Sequence, residues 1–229
     1  NLKICETVKE CKDVSVFMIT VGTPLGTDGL VRTDMVEEAA LSVLEVCDKN
    51  SMVILRSTLK VGTTRSLYNK IFNKMKSNVD FAFCPERTLE GQALEELPKL
   101  PQLIGGLNEK SSRRAANLFQ FLTPTVVKVS DLETAEMIKL IANTSRDVNF
   151  AFSNEVALIC DKMGVNALEV IELGQLGYHR TNLYMPGPVG GPCLSKDPHI
   201  LLQSIQKKVD IEQSIVKISR GVNENQPSQ

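Results

Sequence analysis

Short apolar runs alternate with helical patterns through the first 130 residues of this 229-residue chain, and this alternation constrains the fold most strongly. The runs are rich in β-branched and aromatic residues and are too short to be helices. They are predicted strands, and they span residues 14–21, 51–56, 79–84, 103–106 and 125–129. The helical patterns between them span residues 33–48, 63–75 and 109–121. Strands that alternate with helices predict an α/β fold with a mostly parallel sheet.

The pattern changes at Asp131. From there to Met163 the chain contains neither Pro nor Gly and is apolar on more than one helical face. A helix of this length extends about 45 Å, and apolar residues around it predict burial against several partners. Gly164 is expected to end this helix, and further helical patterns cover residues 166–173 and 199–222.

Two domains are therefore predicted. Residues 1–130 form the sheet-containing domain, and residues 131–229 form an all-helical domain.

Composition argues against nucleic-acid and membrane partners. The net charge is −1, so the chain has no overall basic field to hold an anionic polymer or membrane surface. No apolar run approaches the ~20 residues that a membrane span requires.

Cysteine and histidine usage argues against a metal site. Six cysteines contain no C-x-x-C pair, and the chain has only two histidines, so a zinc site is not expected. The cysteines lie in predicted strand and helix interiors rather than in a disulfide framework, which predicts a reduced, cytoplasmic setting.

Ligands of parallel sheets bind beyond the carboxyl ends of the strands. Three predicted strands end in polar segments, at residues 22–24, 57–58 and 86–90. Thr58 is either a helix N-cap or a ligand to substrate or water. Glu86 and Glu90 are either solvated carboxylates or groups that act as a base or orient water.

The segment 186–198, PGPVGGPCLSKDP, presents one cysteine after a run of Gly and Pro. Cys193 lies where a helix can begin, with Lys196 and Asp197 just after it. Helix N-termini and nearby cations favour a thiolate, so this is a candidate nucleophile. The alternative is a buried structural cysteine, because free Cys is among the most buried residue types.

Lys139 and Asn143 are one turn apart on the long predicted helix, among apolar neighbours. They are either a surface lysine and a helix-face amide, or two donors directed together at a developing oxyanion.

These segments together resemble the UDP-glucose/GDP-mannose dehydrogenase family, and the resemblance is closest to its UDP-N-acetylhexosamine branch. The resemblance covers essentially the whole chain, with the motifs in the same order as in the family. It rests on PERTLEG (85–91), ETAEMIKLIANT (133–144), PGPVGGPCLSKDP (186–198), VGTP (21–24), RST (56–58) and SRGVNENQP (219–227).

The resemblance implies the C-terminal part of a Rossmann-type NAD-binding sheet, followed by a helical central domain with the catalytic cysteine. It implies two NAD-dependent oxidations of C6 of a UDP-sugar to the carboxylate, through a thiohemiacetal and a thioester on cysteine. The sugar is N-acetylmannosamine or N-acetylglucosamine, and Pro192 departs from the family pattern in a way that leaves this choice open. The family also implies a homodimer through the long helix, residues 131–163.

The resemblance also implies roles for individual residues. Cys193 matches the nucleophile, and Lys139 with Asn143 matches the groups that stabilise the oxyanion. Asp197 matches the aspartate that holds a catalytic water together with Thr58.

Glu86 matches a glutamate assigned to thioester hydrolysis, and Glu90 matches one near the cofactor and the sugar. The implied cofactor-binding residues are Thr23, Pro24, Thr58, Glu90 and Lys196. The implied substrate-binding residues are Glu86, Arg180, Lys139 and Gly190.

Two family features are absent from this sequence, the G-x-G-x-x-G turn and the C-terminal domain that holds uridine diphosphate. The chain alone is therefore expected to be a partial enzyme. Two alternatives stay open: a non-catalytic dimerisation fragment of such an enzyme, and a β-hydroxyacid dehydrogenase, which uses a helical Lys and Asn but no cysteine.

Overall fold

The computed structural model describes residues 3–11, 14–73 and 79–226. Internal contacts divide the chain into two compact units, Asn1–Lys139 and Leu140–Gln229, and the division falls inside one long helix. The predicted domain boundary after residue 130 stays a prediction, because a division by contacts does not test where an independently folding domain ends.

The first unit, in its described residues, contains a five-stranded sheet. Its strands lie side by side in chain order, β1 Val16–Ile19, β2 Met52–Leu55, β3 Asp80–Phe83, β4 Gln102–Gly106 and β5 Val126–Lys128. Neighbouring strands are parallel except β3 and β4, which are antiparallel. The predicted α/β class with a mostly parallel sheet is confirmed, and each strand lies within one residue of its predicted segment.

Helices connect these strands. They are α1 Asp34–Leu44, α2 Thr63–Leu67 with a π-helical turn Tyr68–Phe72, α3 Ala93–Glu96 and α4 Glu109–Phe119. A 3-10 turn, Val8–Glu10, precedes β1. The short helix α3 was not predicted, and the predicted end of α2 at Met75 lies outside the described residues. Asn108 caps α4, because its side-chain oxygen accepts a hydrogen bond from the Ser111 amide at 2.9 Å.

The interior strands β2 and β3 are buried on both faces, as their continuous apolar character predicts, and β4 is buried as well. Alternate residues of β2 enter different cores, because side chains of a strand point to opposite faces in turn. Val53 and Leu55 pack in the core with Val36 of α1 and Leu67 of α2. Met52 and Ile54 pack in the other core, whose helical members include Ala115 and Phe119 of α4.

The second unit is helical in its described residues. It contains the C-terminal part of α5 Leu132–Met163, with α6 Ala167–Gln175, α7 Gly191–Leu194, α8 Asp197–Ile205 and α9 Ile215–Asn225. Gly164 follows α5 with a φ of 68°, a left-handed conformation that favours glycine and ends the helix as predicted. The helical pattern over residues 199–222 is two helices, α8 and α9. Within the described ranges, no helix has both the length and the apolar character needed to cross a membrane.

Gly105 allows close packing in the first unit. A Cβ atom at Gly105 would lie 2.4 Å from the carbonyl oxygen of Asp131 and 2.8 Å from the Cβ of Ala135. The backbone oxygen of Asp131 cannot move without shifting the start of α5.

We expect Gly105→Ala to destabilise the first unit by about 1–3 kcal/mol, because an added methyl group overpacks this contact. Urea unfolding followed by circular dichroism measures the change. Gly22→Ala is the matched control, since no described atom lies within 4 Å of the corresponding Cβ position. Equal unfolding midpoints for the two variants would contradict this account of the packing.

Candidate functional site

The turns after β1 and β2 lie side by side in the first unit. The Thr23 hydroxyl donates a hydrogen bond to the Thr58 carbonyl oxygen at 2.8 Å. The Ser57 hydroxyl donates to the Val21 carbonyl oxygen at 2.6 Å. Thr58 is not the N-cap of α2, because Gly62 occupies that position, so the capping alternative is wrong.

Glu86 is held in place by several donors. Its Oε2 atom pairs with the Arg56 guanidinium, and its Oε1 atom accepts from the amides of Arg87 at 2.8 Å and Thr88 at 2.9 Å. Arg56 is fixed in turn, because its Nη1 donates to Gln102 Oε1 at 3.0 Å. Both carboxylate oxygens of Glu86 are therefore engaged, while 42% of the side chain stays exposed, so the choice between a solvated carboxylate and a base or water-orienting group stays a prediction.

These contacts decide the protonation state of Glu86. Burial favours the neutral acid and raises its pKa, but the hydrogen bond from Thr88 and the Arg56 guanidinium outweigh burial and lower the pKa below its usual value. The ionised carboxylate is an acceptor rather than a proton donor.

Glu90 and Pro24 lie on the surface of the first unit. Both are exposed, and no described group forms a hydrogen bond or ion pair with the Glu90 carboxylate. The structure does not bring Glu90 into the Arg56–Glu86 cluster.

A second group of predicted residues comes together in the second unit. Asp197 is fully buried, and its Oδ2 atom accepts from Asn143 Nδ2 at 2.6 Å. Its Oδ1 atom accepts from Lys196 Nζ at 2.8 Å. A buried carboxylate needs such partners, because an unpaired buried charge is costly. Asn143 is therefore a buried partner of Asp197 and not an exposed helix-face amide.

Cys193 is exposed, and it lies shortly before Lys196 and Asp197 in the sequence. It is the third residue of α7, after the N-cap Gly190 and with Pro192 at the second position. Lys196 is the N-cap of α8, and Asp197 is its first residue. The prediction of a cysteine near a helix start is confirmed, and the alternative of a buried structural cysteine is wrong.

The other predicted residues are placed as follows. Lys139 lies one turn before Asn143 on α5 and is only 8% exposed, which argues against a surface lysine. Arg180 is exposed, with its guanidinium carbon 5.8 Å from the ring centroid of Tyr178. Gly190 is exposed in the loop before α7.

Arg56 and Gln102, which hold Glu86 in place, were not among the predicted site residues. A signal was present for Arg56, because it opens the RST segment that supports the family resemblance. Gln102 lies 46 residues from Arg56 in the chain, and no local pattern marks it.

Within residues 3–11, 14–73 and 79–226, no group of three or more His, Cys, Asp and Glu side chains could hold a metal ion.

Family models match both units. Residues 1–123 match the NAD binding domain of the UDP-glucose/GDP-mannose dehydrogenase family, and residues 133–225 match its central domain. The chain belongs to this family. Neither match supports the β-hydroxyacid dehydrogenase alternative.

Individual relatives are similar to this chain over nearly its whole length. The chain is 37% identical over 233 residues to UDP-N-acetyl-D-mannosamine dehydrogenase of Pyrococcus horikoshii, covering 100% of the chain and 54% of the relative. It is 36% identical over 227 residues to the enzyme of that name from Escherichia coli K12, covering 94% and 53%. A solved structure of UDP-D-ManNAc dehydrogenase from Pyrococcus horikoshii superposes with a TM-score of 0.90 and 35% identity, covering 99% of this chain and 54% of that chain. The chain thus spans about half the length of these relatives.

We expect Glu86→Gln to change the pH dependence of unfolding. A lowered pKa in the folded state contributes stability above the usual carboxyl pKa of 4.5, and this contribution is lost as the pH falls through the lowered pKa. The wild-type chain should therefore be more stable than Glu86→Gln at neutral pH, and the difference should vanish in acid. Thermal unfolding over a pH series measures it.

Glu90→Gln is the control, because the Glu90 carboxylate has no described partner to lose. A pH-independent difference between Glu86→Gln and the wild type would contradict the assignment of an ionised Glu86.

Proposed function

We propose that this chain carries the catalytic cysteine of an NAD-dependent dehydrogenase that oxidises C6 of UDP-N-acetylmannosamine to the carboxylate. UDP-N-acetylglucosamine is the second candidate substrate. One observation carries the proposal: an exposed Cys193 lies shortly before the buried Asp197 in the sequence, and Asn143 and Lys196 are hydrogen-bonded to Asp197. Both parts of the chain match models of this family. The names of the relatives support N-acetylmannosamine.

The strand ends of the first unit suit part of a dinucleotide site. Gly22 has no described atom within 4 Å of its would-be Cβ, so the backbone after β1 can be approached closely by a ligand. Thr23 and Thr58 are hydrogen-bonded beside it, and Pro24 is exposed. Together with Glu90 and Lys196, these are the residues proposed to hold NAD, and two NAD molecules bound in succession would each accept one of the two hydrides that leave C6.

Cys193 acts on the aldehyde that the first oxidation leaves. Its thiolate sulfur adds to the carbonyl carbon, a C–S bond forms, and the carbonyl oxygen takes the negative charge. Lys139 and the second N–H of Asn143 are the proposed donors to this oxygen, because donors placed where charge develops lower the barrier. Loss of hydride from the same carbon gives the thioester.

Hydrolysis of the thioester completes the proposed reaction. Water attacks the thioester carbon, the C–S bond breaks, and the sulfur of Cys193 leaves as the thiolate while the sugar becomes the carboxylate. Asp197 and Thr58 are the proposed holders of this water. An ionised Glu86, fixed by Arg56, suits an acceptor that orients water or a sugar hydroxyl. Arg180 and Gly190 are proposed substrate contacts.

An apolar stripe on α5 supports a homodimer. Ile141, Phe152, Ile159 and Met163 are all exposed, and their spacings of 11, 7 and 4 residues place them on one face of the helix. Large apolar residues are also exposed on α6, at Leu168, Val170 and Leu173. An exposed apolar patch of this kind is typical of an interface, so we propose that two copies of α5 meet there.

We expect Ile159→Asp to convert a dimer into a monomer, because a carboxylate placed in an apolar interface loses its hydration. Analytical ultracentrifugation measures the mass of both proteins. Asp161→Lys is the control, because it changes an exposed residue about half a turn away on α5. A monomeric wild-type chain, or a dimeric Ile159→Asp variant, would contradict the proposed interface.

We expect the reaction to be visible as NADH absorbance at 340 nm with either UDP-sugar. Two proteins are compared: this chain, and a chimera that adds the flanking segments of the Pyrococcus horikoshii relative. The chimera should form two NADH per sugar, with the higher kcat/KM for UDP-N-acetylmannosamine. Cys193→Ala should lower carboxylate formation by about 10³-fold or more, because no thioester can form.

Cys5→Ala is the matched control for loss of a thiol, and it should leave the rate unchanged. Undiminished carboxylate formation by Cys193→Ala would contradict the assigned nucleophile. No NADH from either protein, with dimers intact, would favour the alternative of a non-catalytic dimerisation fragment.

A further inference from the structure

A buried polar cluster joins α5 to α9 in the second unit. It consists of Asp147 and Asn154 on α5 and of Arg220 and Asn223 on α9, and each is at most 3% exposed. Arg220 Nη1 pairs with Asp147 Oδ1, and Asn223 Nδ2 donates to the same oxygen at 2.9 Å. None of these four side chains has a role in the proposed reaction.

The cluster contacts the loop that carries Cys193, residues 186–196, at Gly187 and Val189 before the cysteine and at Leu194 after it. Arg220 Nη1 donates to the carbonyl oxygen of Leu194, the residue after Cys193, at 2.9 Å. Asn154 contacts both polar atoms of the Gly187 backbone: its Oδ1 accepts from the amide at 2.7 Å, and its Nδ2 donates to the carbonyl oxygen at 3.1 Å. The loop is therefore held on both sides of the cysteine.

The contacts at Gly187 and at Leu194 are connected through the cluster. Asn154 Nδ2 also donates to Asn223 Oδ1 at 3.1 Å. Asn223 donates to Asp147, and Asp147 pairs with Arg220. A continuous series of hydrogen bonds thus runs from Gly187 to Leu194 through four buried side chains.

The loop has few means of fixing itself. Its first seven residues are Pro-Gly-Pro-Val-Gly-Gly-Pro, so three backbone N–H groups are missing and only one side chain besides proline is larger than hydrogen. Three glycines give this backbone more freedom than other residues would. Its conformation therefore depends on donors and acceptors that other elements supply.

Stability alone does not account for such a cluster. Replacing a buried ion pair by apolar side chains of similar volume is often neutral or stabilising. A connected set of polar side chains, two of which bond to the loop backbone, instead selects one geometry, because hydrogen bonds have strict distance and angle requirements.

We propose that Arg220 and Asn154 are positioning residues for Cys193, and that Asp147 and Asn223 hold these two side chains in place. They act through the backbone at Gly187 and Leu194 and touch no reacting atom. The catalytic consequence rests on the proposed function of Cys193, whereas the order of the loop does not.

Two conservative variants test this. Arg220→Lys keeps a positive charge opposite Asp147 but loses the guanidinium, whose Nη1 donates to both Asp147 and Leu194 and whose Nη2 lies 3.5 Å from the Val189 carbonyl oxygen. Asn154→Asp keeps the acceptor for the Gly187 amide and loses the donor to its carbonyl oxygen. Glu224→Gln is the matched control, because Glu224 is an exposed partner of the same guanidinium, 3.3 Å from Nε, and does not contact the loop.

Hydrogen exchange and thiol alkylation of this chain provide the readouts. We expect each variant to raise amide exchange in residues 187–196 about tenfold, with exchange in the rest of α5 and α9 unchanged. The rate of Cys193 alkylation by iodoacetamide should also change in both variants, because the thiol no longer keeps one environment. Glu224→Gln should match the wild type in both measurements.

Unchanged loop exchange in both variants, or an equal rise across α5, α9 and the loop, would overturn the proposal. An effect of Glu224→Gln equal to that of Arg220→Lys would also overturn it. In the chimera, Arg220→Lys should lower kcat with little change in KM for the sugar, and a change in KM alone would count against positioning. An inactive wild-type chimera would contradict the proposed function, while the exchange result would still decide the order of the loop.

Discussion

A helix that buries polar side chains must find hydrogen-bond partners for them in other elements, and α5 is built under this constraint. Its buried polar residues include Glu136, Asn143, Asp147 and Asn154. The Glu136 carboxylate accepts from the Gly62 and Thr64 amides at 2.5 and 2.8 Å, at the start of α2. Burial raises the pKa of Glu136, whereas these two amides favour its ionised form. The same requirement is met further along α5, where Asn143 is hydrogen-bonded to Asp197 and Asp147 pairs with Arg220.

This constraint links the fold to the proposed chemistry. Two groups of the proposed reaction lie on short segments: Glu86 follows a strand, and Cys193 lies in a four-residue helix after a Gly- and Pro-rich run. Such segments cannot hold a side chain by their own regular hydrogen bonds. Arg56 fixes Glu86, and Arg220 with Asn154 fixes the backbone around Cys193. Buried arginine and amide side chains thus fix the conformation of these loops by hydrogen bonds, as backbone hydrogen bonds fix a strand in a sheet.

Much of the fold could be predicted, because strands and helices have different hydrophobic periods. The antiparallel pairing of β3 with β4 could not be predicted in this way. The prediction of a mostly parallel sheet gave no direction for this pair, and the connection between the two strands holds only the four-residue α3, which no apolar pattern marks. The gap between α8 and α9 was missed for a related reason: residues 206–214 contain neither Gly nor Pro, so no local signal interrupts the helical pattern.

The sequence by itself determined the α/β class, the long helix, the family and the identity of the candidate nucleophile, since these depend on periodicity and on motifs within a few residues. Only the tertiary structure decided which partners the key side chains have. Glu86 and Arg56 are 30 residues apart, Asn143 and Asp197 are 54 apart, and Asp147 and Arg220 are 73 apart. A hydrogen bond depends on the distance and angle between two groups, and for groups so far apart in the chain these follow from packing, which no local pattern encodes.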